Sequence, residues 1–146
     1  MKEKSFQHAI SYSDTEFCIE GTWITNCTNS IKSINNPDEE LIRSPPIFFQ
    51  LYTFYLSFYF DTNHELFMIY IDMEDVPSPT FPVSIKLTMR NHHPKNILNF
   101  QSEFCFTPQT KHAIASFNQI TSLEVFSDEG FSFDGFFIIQ YSFIHK

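Results

Sequence analysis

The chain has 146 residues, 17 Asp and Glu against nine Lys and Arg, and a formal net charge of −8. That balance excludes a protein that binds nucleic acid through its backbone, which needs a basic stripe to displace counterions, and argues against docking on anionic lipid. Its 42% hydrophobic content is enough to bury one core, and three glycines leave no material for a glycine-rich phosphate loop.

The N-terminal residues 1–14 carry no long apolar segment, so they read as a tail or an added strand rather than a secretory signal. Residues 15–146 read as one domain. Three cysteines, Cys18, Cys27 and Cys105, are an odd set without close pairing. The expectation is reduced thiols in a cytoplasmic or nuclear protein, with Cys18 and Cys27 as small buried or half-buried residues.

In the first segment after residue 15, Phe17, Ile19 and Trp23 fall on one side at period two. The next is unusual: from Ile47 to Phe60, eight of fourteen residues are Phe or Tyr and none is charged. It is shorter than the roughly 20 apolar residues that a spanning helix needs. Alternation instead sets Tyr52, Phe54, Leu56, Phe58 and Phe60 on one face of a strand and a more polar set on the other. The same period places Phe67, Ile69, Ile71 and Met73 together, with Leu66, Met68 and Tyr70 opposite on a face that could also be covered. Val83, Ile85, Leu87 and Met89 alternate with Ser84, Lys86, Thr88 and Arg90. Phe104 and Phe106 follow, then Phe137, Ile139, Tyr141 and Phe143.

Turn residues rich in Asn, Asp and Pro separate these runs. The pattern predicts an all-β protein, an antiparallel two-sheet sandwich. Only 109–123 reads as helical, with Ala113, Phe117 and Ile120 at spacings of four and three.

The order of landmarks resembles the MATH (meprin and TRAF homology) family over about residues 15–145. "TWITN" (22–26), "IRSPPIF" (42–48), "FYLSFYF" (54–60), "FMIYI" (67–71), "SIKLTMRN" (84–91), "FCFTPQTKHAIASF" (104–117) and "GFFIIQYSFI" (135–144) stand where that family has its characteristic segments. The resemblance implies an eight-stranded antiparallel β-sandwich with one short helix. It also implies binding of short extended peptides in a shallow groove, for recruitment to ubiquitination or signalling. No cofactor and no catalysis are implied.

Carried over position by position from the ubiquitin-adaptor branch, the groove set is Tyr70, Ile85, Phe104, Thr110, Lys111, His112, Ile114 and Ala115. Ile85 is contested, because its alternation assigns it to the core and the resemblance to the groove. His112 and Ile114 replace a Trp and a Phe, and Lys111 is the one nearby cation. The large aromatic anchor that commonly dominates a binding site is thus missing.

Other constellations are weaker. His64-Glu65-Leu66-Phe67-Met68 begins like a zinc-protease helix, but has Met68 at the second ligand position and strand periodicity. His92-His93 reads as a solvated turn. Asp72, Glu74 and Asp75, with Asp128 and Glu129, would hold calcium in the manner of a C2 lipid or protein binder if their loops met at one end. A self-associating sandwich without a client is the remaining alternative.

Overall fold

The structure, a computed structural model, describes residues 7–14, 17–26, 40–60, 66–75 and 80–146. Among them run β1 (Gln7–Asp14), β2 (Cys18–Asn26), β3 (Glu40–Arg43), β4 (Ile47–Phe49), β5 (Tyr52–Phe60), β6 (Leu66–Glu74), β7 (Phe81–Met89), β8 (Leu98–Phe106), β9 (His112–Thr121), a helix α1 (Ser122–Ser127) and β10 (Phe136–His145). Sheet A has the order β1-β2-β10-β7-β8, and sheet B the order β3-β5-β6-β9 with β4 also on β5. All pairings are antiparallel. The fold is therefore the expected all-β sandwich.

The strand count exceeds the eight expected. One addition is β1, which turns part of the N-terminal segment into a strand. The other comes from β3 and β4, which pair with the same strand on either side of Pro45-Pro46. Proline cannot donate to a ladder, so the pairing breaks there. Ser44 bridges the break: its N–H donates to the Leu56 carbonyl (2.7 Å) and its Oγ accepts from the Leu56 N–H (2.9 Å). The Phe/Tyr ribbon is thus a hairpin, β4 and β5 joined at Gln50-Leu51, with Gln50 at φ 57°.

Alternation decides what is buried. Phe54, Leu56 and Phe58 of β5, all four predicted residues of β6 and of β7, and all four of β10 lie between the sheets. On β6 only this one face is covered; Leu66 is exposed, and Met68 and Tyr70 are half-buried. Phe54 is a hub, its ring 4.9 Å from Phe143, 5.6 Å from Phe106 and 6.1 Å from Phe81. Each such ring contributes about 1.5–3 kcal/mol by leaving water. Phe17 departs from expectation: it precedes β2 and is 58% exposed, while Ile19 and Trp23 are fully buried.

The helix lies elsewhere than predicted. Residues 112–121 form a strand, in which Ala113, Ala115 and Phe117 are buried at period two. A short stretch of Ala and Phe fits both periods, and pairing with β6 selects the extended one. The helix begins after it, where Thr121 and Glu124 form a capping box and Val125 and Phe126 close one end of the core.

Candidate functional site at the β9 edge

β9 is the last strand of sheet B, and no described strand pairs with its other side. The Met73 N–H donates to the Lys111 carbonyl (2.9 Å), and Asp72 stands opposite His112. Antiparallel pairing alternates the direction of the backbone groups. Lys111, Ala113, Ala115 and Phe117 therefore turn theirs to β6, whereas His112, Ile114 and Ser116 point theirs out of the sheet. This is a row of donors and acceptors to which an extended chain can add.

Cross-strand register then defines the outer face beside that row. Arg43, Ser57, Tyr70 and Ile114 form one line across the four strands, and Tyr55, Asp72 and His112 a second. The Arg43 guanidinium lies 3.7 Å over the Tyr55 ring, and Tyr70 packs edge-on against Tyr59 at 5.7 Å. His112 Nδ1 and Asp72 Oδ1 are 2.5 Å apart. A shallow depression of about 320 Å³ lies among Arg43, Tyr55, Asp72, Glu74, Lys111 and His112. Both signs of charge meet there.

The eight groove residues expected from the sequence separate into four groups. Tyr70, His112 and Ile114 share the outer face, with Ile114 53% exposed. Thr110 and Lys111 belong to the exposed turn before β9, where Thr107 and Thr110 exchange backbone hydrogen bonds of 3.1 and 3.0 Å. Phe104 lies on β8 of the other sheet, half-buried against Phe106 at 4.7 Å. Ile85 and Ala115 are core residues, 1% and 0% exposed, and a ligand cannot touch them. For Ile85 the alternation of β7 is the physical reason: a one-residue change of face would put Lys86 inside. His112 begins a strand, not a helix.

The sequence reading named neither Arg43 nor Tyr55 as a site residue, and it assigned Asp72 to an acidic loop rather than to this face. They are distant in the chain and meet only through sheet register. A second depression, about 240 Å³, opens on the outer face of sheet A among Glu20, Lys86, Thr88 and Gln140, and none of the expected residues lines it.

The acidic loops do not meet. Leu66, the first residue of β6, pairs with Thr121, so α1 and the following Asp128 and Glu129 lie by the start of β6. Asp72, Glu74 and Asp75 lie towards its end, about 20–30 Å away along the strand. Among the described residues no group of three His, Cys, Asp or Glu is placed to hold a metal. His64 and Glu65 lie outside the described residues, as does Cys27; Leu66 to Met68 are strand, not helix. Cys18 is half-buried and Cys105 exposed. His92 is more than a solvated turn: its Nε2 is 2.8 Å from the Ser132 carbonyl and its ring stacks on Phe133 at 4.0 Å. Among the described residues no helix is long and apolar enough to cross a membrane.

No family model matches this sequence, and no curated protein matches it.

Proposed function

We propose that this domain is a non-enzymatic interaction module that binds extended segments of partner proteins by adding them to the β9 edge. It acts in the manner of the MATH family, which its order of sequence landmarks resembles. The observation that carries this reading is the outward backbone row of His112, Ile114 and Ser116, set beside the exposed Ile114 and the half-buried Tyr70. Main-chain hydrogen bonds give such a site its affinity, and the flanking side chains give it selectivity. Where another subunit supplies the effector, the bound segment is recruited for ubiquitination or signalling.

With no large aromatic anchor, the expected affinity is micromolar or weaker, about −8 kcal/mol at best. The test is peptide-library binding to the wild type, to Ile114→Pro and to Tyr70→Ala. Ile114→Pro removes an N–H that does not serve the β6 ladder, so the fold persists while strand addition fails. Affinity should fall at least about tenfold for that variant. Peptides that bind both variants as tightly as wild type would move the site elsewhere.

A further inference from the structure

β8 is one of the two edge strands of sheet A, no described strand pairs with its outer side, and its chemistry is nearly palindromic about Ser102: Phe100-Gln101-Ser102-Glu103-Phe104. The hydrogen bonds of its neighbour assign its backbone. The Lys146 N–H donates to the Pro82 carbonyl (3.1 Å), and the Arg90 N–H to the Ile138 carbonyl (3.0 Å). Even-numbered residues of β7 therefore turn to β10, and Val83, Ile85 and Leu87 turn to β8. Their partners Phe104, Ser102 and Phe100 spend their backbone groups on β7. Asn99, Gln101, Glu103 and Cys105 hold theirs outward.

We propose that two copies of this chain associate through β8, antiparallel, about a twofold axis at Ser102. In that register Gln101 exchanges hydrogen bonds with Glu103 of the second copy, and Asn99 with its Cys105, giving up to about eight bonds. Phe100 falls opposite Phe104 of the second copy, twice. These are non-hydrogen-bonded pairs with Cα atoms about 4.5 Å apart, the position where cross-strand side chains lie closest. Both rings are half-buried in the monomer and packed against the core.

Charge is compatible with this pairing. Glu103 faces a neutral glutamine and is balanced by Lys146 at 2.9 Å. The edge also lacks the usual protections. β8 carries no Pro and no Lys, and its register with β7 runs without a bulge. A second copy is thus the occupant whose side chains match this edge, because an isologous contact needs a self-complementary strand.

Ser102 would face itself across the axis, and it is exposed, so a charge there leaves the monomer intact. Sedimentation velocity over about 1 μM to 1 mM should show a concentration-dependent dimer of the wild type. Ser102→Lys and Ser102→Asp should each weaken it at least about tenfold, and an equimolar mixture of the two should restore it as a heterodimer. Circular dichroism unchanged from wild type establishes that both variants fold. A wild type that stays monomeric throughout overturns the proposal. So does a dimer indifferent to charge at residue 102, or a mixture that fails to recover.

Discussion

His112 Nδ1 lies 2.5 Å from Asp72 Oδ1, which ties the first residue of the edge strand to the strand beside it. His112 is exposed and Asp72 half-buried, with side-chain accessibilities of 71% and 25%, so solvent reaches and screens the pair. It orders the mouth of the candidate groove more than it stabilises the fold. Asp72→Ala should cost no more than about 1 kcal/mol in urea unfolding. A loss above about 3 kcal/mol would show that this contact belongs to the folding core instead.

Phe54 is the opposite case. It is fully buried and touches rings from both sheets. Phe54→Ala should leave a cavity and destabilise by about 3–5 kcal/mol, read as a lower guanidinium midpoint with an unchanged slope. A cost under about 1 kcal/mol would contradict its place between the sheets.

Gly130 has no room for a side chain. A Cβ there would stand 2.6 Å from Asn91 Oδ1, 3.0 Å from Asn91 Nδ2 and 3.0 Å from Asp128 Oδ1. Asn91 cannot give way freely, because it is buried and its Oδ1 accepts from the His93 N–H at 2.8 Å. Gly130→Ala should therefore destabilise by about 1–3 kcal/mol in thermal unfolding. An unchanged melting temperature would mean that this loop is not held against Asn91.

Glu103 is held below the ordinary carboxylate value of 4.5 by its hydrogen bond to Lys146 and by that ammonium's charge. A lowered native value means that the contact's contribution is present above pH 4.5 and disappears as pH falls through the native value. Lys146→Ala should raise the Glu103 pKa in a carboxyl NMR titration. An identical titration in both proteins would show that the pair does not persist in solution.

The sandwich was legible because burial in a sheet leaves a period of two. Val83 to Met89 and Phe137 to Phe143 needed nothing more. The helix at 122–127 was also legible, through Thr121-x-x-Glu124, but the overlapping spacing of Ala113, Phe117 and Ile120 pointed upstream. That spacing suits a helix and a strand alike until β6 is there to pair with it. Of the residues that the resemblance named, Tyr70, His112 and Ile114 share one outer face, whereas Ile85 and Ala115 are turned inward by alternation.

By itself, the sequence determined which residues avoid water and at what period. That is enough for a two-layer β protein, because side-chain direction along a strand is a local property. Only the tertiary structure decided which strands become edges. An unpaired N–H on β8 or β9 depends on what fails to lie beside it, and that is a property of the whole chain's arrangement. The meeting of Arg43, Tyr55, Asp72 and His112 has the same origin, since hydrogen-bond register across β3, β5, β6 and β9 aligns residues that no local pattern connects.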